Sequence, residues 1–162
     1  MDCGLWFFEQ AQATYRYVTA LHQKDAPGQD QAARRMVSNA DSWGQLTRLP
    51  AAGDLMKFHV GALKRLADSA FSKHKRGIEI GLEEAIANEQ AQTQFYSKSF
   101  ARFPGKEWSD AFTLYITAVA GYTLALAAGD LADFRRQCEI AREAKNALAV
   151  LWGDIVDANG LK

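Results

Sequence analysis

The feature that most constrains this chain is a stretch of 18 residues, 111–128, without a single charged side chain, followed at once by Gly129-Asp130 and a strongly amphipathic segment. An uncharged run of that length is either a membrane span or the innermost helix of an all-helical domain. Its content points to the second. Thr113, Tyr115, Thr117, Tyr122 and Thr123 are spread through it, whereas the centre of a lipid-facing helix is dense in Leu, Ile, Val and Phe. Ala118, Ala120, Gly121, Ala125 and Ala128 let neighbouring helices approach closely on several sides, as a central helix requires. No basic cluster flanks the run to orient it across a bilayer, so the expectation is a protein with no membrane partner.

The remaining sequence supplies helices to surround it. Pro27, Pro50 and Pro104 are the three prolines, each beside glycine or a small residue, and they read as punctuation between helices. Apolar residues at helical spacing predict helices over roughly 3–23, 29–47, 54–74, 79–103, 109–128 and 130–158. Asp54 is the expected cap of the third. Gly77, after the basic cluster Lys73-His74-Lys75-Arg76, is its expected left-handed terminator; Gly129 closes the fifth helix and Asp130 caps the sixth. No segment alternates like a strand. The fold expected is all-α: one domain over residues 1–162, an antiparallel bundle of about six helices with a buried central helix at 109–128.

Tyr122 through Ala141 resembles the helix–turn–helix joint of a tetratricopeptide repeat, in which a Gly-Asp turn links an Ala-rich helix to a second amphipathic one. Gly129, Asp130 and Ala141 carry the likeness. Phe134 stands where that family prefers a small residue, and no second copy follows at a period of about 34 residues. The resemblance therefore implies antiparallel packing of one hairpin rather than a repeat array.

Charge and motifs narrow the function by exclusion. Nineteen Lys and Arg balance nineteen Asp and Glu, so no overall field attracts a polyanion, and no nucleic-acid partner is expected. None of the three histidines has a carboxylate three or four residues before it, which removes the helix-bundle metal motif; no metal and no cofactor is expected. No phosphate-binding glycine loop, nucleophile elbow or zincin motif occurs, and the reading leans away from an enzyme. Asp2 stands where a signal peptide would be basic, so the expected location is cytoplasmic. Cys3 and Cys138 then read as free thiols, with a bridge between them as the alternative.

Two groups of residues stand out. In the fourth helix the apolar register Ile78, Leu82, Ile86 continues through Glu89 and Thr93 to Tyr96 and Phe100, placing a carboxylate where a core residue belongs. The plainer expectation is that the stripe wraps and Glu89 reaches the surface. The alternative is a polar ligand pocket of Glu89, His59, Tyr96 and Tyr122 between the central helices, with His59 as partner of the acid. Trp6 and Phe7 are more apolar than a terminal helix needs: they either cover the bundle end or form a protein-binding or self-associating patch. The leading functional expectation is a helical module that binds another protein, as adaptors, inhibitors and immunity proteins do. A small-ligand-binding or enzymatic bundle, or a self-associating subunit such as a homodimer, are the alternatives.

Overall fold

In the computed structural model, which describes residues 3–160, six helices account for nearly all of the chain: α1 (Cys3–Gln23), α2 (Ala26–Leu46), α3 (Pro50–Phe71), α4 (Lys75–Ser99), α5 (Gly105–Ala128) and α6 (Leu131–Asn159). No strand occurs among the described residues. The joints are two to five residues long, which makes successive helices antiparallel neighbours. α6 returns to pack on α1, and α5 touches α1, α3, α4 and α6. The uncharged run is thus the central helix. By length and composition α5 could cross a bilayer, and 61% of its most apolar window is buried inside the bundle. Its hydroxyls turn inward on their own helix: Thr117 Oγ1 donates to the Thr113 carbonyl at 2.9 Å and Thr123 Oγ1 to that of Val119 at 2.7 Å.

Six helix ends differ from the sequence expectation: the start of α2, both ends of α3, both ends of α4, which spans 75–99 rather than 79–103, and the start of α5 at 105 rather than 109. α2 starts earlier because the Asp25 carboxylate accepts the Gly28 N–H while Pro27 sits in the first turn, where its missing donor costs nothing. α3 likewise starts on Pro50, which leaves Asp54 inside the helix rather than capping it. It stops at Phe71, and the left-handed residue after it is Lys73 (φ 59°) rather than Gly77. Lys24 and Arg48 fill the same role after α1 and α2, so three turns place a basic residue where glycine is the usual signal. Gly77 instead lies buried in the first turn of α4. Gly129 (φ 79°) and the Asp130 cap, whose side chain accepts the Asp133 N–H, stand as expected.

The core changes character along the bundle axis. Where α1, α3 and α5 begin and α2, α4 and α6 finish, all four tryptophans are buried together: Trp6 lies 4.2 Å from Trp43, Trp43 4.7 Å from Trp152, and Trp152 5.8 Å from Trp108, ring centre to ring centre. At the other end the buried residues are mostly small, and α4 presses Gly81 against the backbone of α3. A methyl group on Gly81 would stand 2.8 Å from the Leu66 nitrogen. Gly121, the close-contact position suggested by the sequence, lies against α6, where a methyl group would stand 2.7 Å from the Gln137 side chain.

Candidate functional site

Between the ring-filled end and the small-residue end, α1, α3, α5 and α6 do not close completely. They enclose a chamber lined by Gln10 and Thr14 of α1, His59 of α3, Trp108, Phe112 and Tyr115 of α5, and Lys145 of α6, among others. Its free volume, counted as space for the centre of a water molecule, is about 20 Å³, enough for one water-sized group. The walls are apolar rings and aliphatic side chains. Five polar atoms in this lining have no partner among the protein's groups: Gln10 Oε1 and Nε2, His59 Nδ1 and Nε2, and Trp108 Nε1. Buried polar groups are nearly always paired, and leaving one unpaired costs about 1–3 kcal/mol. Such a concentration marks a site prepared for something polar.

Apart from Lys145 at its wall, the polar groups of the chamber are neutral. Burial holds the His59 imidazole down at a pKa of about 4, so at neutral pH it offers one N–H donor and one bare nitrogen acceptor. Its ring packs 4.9 Å from that of Phe112. Burial also pushes the Tyr115 phenol up to about 12, opposed by a hydrogen bond with Thr14, whose own hydroxyl donates to the Gln10 carbonyl at 3.0 Å. Gln10, His59 and Trp108 therefore present both donors and acceptors, and no charge, to the same space.

Tyr115 and Lys145 also line a second hollow, a groove on the surface between α1 and α6. Phe8 and Tyr15 form its α1 rim, Cys138 and Arg142 its α6 rim, and Tyr122 part of its floor; its volume is about 250 Å³ on the same measure. Phe8 is half exposed, and the Lys145 ammonium rests over its ring at 5.3 Å. Burial, and then the neighbouring Arg142, lower the Lys145 pKa. Arg142 itself is paired with Glu139. Burial and then Glu139 raise the Cys138 thiol to about 11, so it is an unreactive wall group. Cys138 is free; the side chain of Cys3 lies outside the described residues.

The sequence-derived candidates separate in space. His59 lines the chamber and Tyr122 the groove. Glu89 is buried, 1% exposed, against the plainer expectation that it reaches the surface. It lines neither hollow and is not paired with His59. Its Oε1 accepts the Thr93 hydroxyl at 2.7 Å, and it forms no ion pair among the described residues. Tyr96 belongs to the ring cluster, where its hydroxyl accepts the Trp43 indole N–H at 2.6 Å. Trp6 and Phe7 are core residues, and the Trp6 N–H donates to the Asn39 carbonyl at 2.8 Å, so they cover the bundle end and present no surface patch. Gln10, Trp108, Tyr115 and Lys145 escaped the sequence reading. Gln10 carried the same signal as Glu89, a polar residue in register with buried Trp6, Ala13, Thr14 and Tyr17.

No protein-family model matches the chain, and neither a curated protein nor a solved structure matches it. Among the described residues no cluster of His, Cys, Asp and Glu could hold a metal ion.

Proposed function

We propose that this chain is a non-catalytic binding module whose ligand, a small molecule, occupies the α1–α6 groove and the chamber beneath it. One observation carries the reading: three buried side chains, Gln10, His59 and Trp108, aim unpaired polar atoms into a cavity that shares Tyr115 and Lys145 with a surface groove. The groove gives an apolar body a place to lie, and the chamber gives a polar end its partners. His59 is not hydrogen-bonded to a nucleophile or to a second titratable group, which favours binding over chemistry. Screening a small-molecule panel by NMR is the test. Ligands should perturb the Tyr15 and Tyr122 ring signals and compete with one another; a panel that leaves those signals unmoved would sink the reading.

A protein partner is the second reading, favoured by the exposed stripe of Leu5, Phe8 and Tyr15 on α1, whose spacing suits an apolar helix laid along the same seam. That partner could be a second copy of the chain. Sedimentation of wild type and Phe8→Glu would separate a homodimer, which the substitution should dissociate, from a monomer that awaits another protein. Both readings take the protein to be soluble and cytoplasmic, with α5 enclosed by its neighbours. Recovery only from membranes would overturn them together.

A further inference from the structure

Resting on that ligand-binding reading, we infer that the ligand is an uncharged apolar molecule ending in a hydroxyl group, with the hydroxyl in the chamber between Gln10, His59 and Trp108 and the apolar body in the groove. Size and polarity both select this head. A space of about 20 Å³ for the centre of a water molecule admits a hydroxyl, whereas a carboxylate or a carboxamide brings two heavy atoms beyond its carbon.

The partners on offer are of both kinds. Trp108 Nε1–H, the Gln10 amide and one His59 nitrogen donate, while Gln10 Oε1 and the other His59 nitrogen accept. A hydroxyl donates once and accepts twice, so it engages both sets; an ether or a ketone only accepts and leaves the acceptors unmatched. Charge is selected against. The chamber encloses no carboxylate to meet an ammonium, and its only cation, Lys145, stands at the shared wall over the Phe8 ring. An anionic head would have to give up its hydration among neutral groups. The groove walls of Phe8, Ala11, Tyr15, Tyr122 and Ala141 offer contact to an alkyl or aromatic body.

Three probes of equal chain length test this on the intact protein: 1-octanol, octyl methyl ether and octanoate. Affinity is read by calorimetry and position by the indole and imidazole ¹⁵N signals. Octanol should bind about tenfold tighter or more than the other two, since only it satisfies the buried donors and acceptors together. It should shift the Trp108 indole and His59 ring signals, and leave the Trp43 indole, held by Tyr96, in place.

Gln10→Leu replaces unpaired polar atoms by apolar ones of similar size and keeps the fold. In that variant the advantage of octanol over the ether should shrink to about threefold or less. If octanol binds no tighter than the ether, or moves only Tyr15 and Tyr122, the hydroxyl inference falls and the binding reading stands. If octanoate binds tightest, Lys145 and Arg142 capture an anion and the inference is wrong about charge. If none of the three binds, the inference and the ligand-binding reading fall together.

Discussion

The two ends of this bundle are filled by different side chains. At one end four tryptophans, Tyr96 and Phe100 fill the space among the helices with ring area, while α2 and α3 meet backbone to backbone at Gly44 and Gly53. At the other, Gly81 lies so near α3 that backbone meets backbone, and the buried positions are largely alanine. The first is filled chiefly by aromatic rings and the second by small side chains. The chamber lies between the two regimes, on the side where His59 and Gln10 replace rings.

The comparison breaks most readily at the ring end. Trp43 is fully buried, touches Trp6, Phe7 and Trp152, and donates to Tyr96. Trp43→Ala should lower stability by about 3–5 kcal/mol in denaturant melts, the range for removing a large buried ring. A loss below about 1 kcal/mol would mean that the cluster is replaceable filling.

Acid should act next, through the boundary. His59 has a folded pKa of about 4 against an ordinary value of 6.5. Below pH 6.5 the unfolded chain gains a proton that the folded chain refuses, so stability falls with pH down to about 4 and His59 adds no further slope below that. The expected loss is about 3 kcal/mol at pH 4 relative to pH 7. His59→Leu should flatten the stability-versus-pH curve over this window. Parallel curves for the two proteins would show that the imidazole is solvated.

At the small-residue end, Gly81→Ala sets a methyl group 2.8–2.9 Å from the Leu66 backbone and Cβ. The helices must separate, and the cost should be about 1–3 kcal/mol despite the better helix propensity of alanine. Gly61 supplies the internal control, since a methyl group there meets nothing within 4 Å. Gly61→Ala should stabilise α3 by up to about 1 kcal/mol. If both substitutions stabilise, the backbone contact between α3 and α4 is looser than Gly81 indicates.

Periodicity carried most of the fold into view: an uncharged run with small residues on several faces had to be central, and α1 matches the expected residues 3–23 at both ends. Turn chemistry was harder to read. Lys24, Arg48 and Lys73 occupy left-handed positions where glycine is the usual signal, and each helix end is closed by a local backbone bond, from Asp25 N–H to Ala20, Leu49 N–H to Gly44 and His74 N–H to Ser69. His59 was visible as a titratable residue on an apolar face. Gln10 could have been found by the register argument that singled out Glu89. The chamber could not, because a void is a property of how four helices meet. For the same reason the burial of Glu89 was misjudged: a stripe can wrap outward or inward, and the packing of α4 decides which.

The inward-turned hydroxyls of α5 also bear on biosynthesis. With the Thr117 and Thr123 hydroxyls bonded to the carbonyls of Thr113 and Val119, the uncharged run 111–128 of α5 offers water few polar groups. α1, α3 and α4, three of the four helices it touches, precede it along the chain and are available to receive it as it is made. Only α6 follows. At about 5–20 residues per second its 29 residues add a delay on the order of a few seconds, during which one flank of α5 is open to solvent. A chain stalled in α6 would expose that flank for longer, and its fate would fall to chaperones rather than to its own packing.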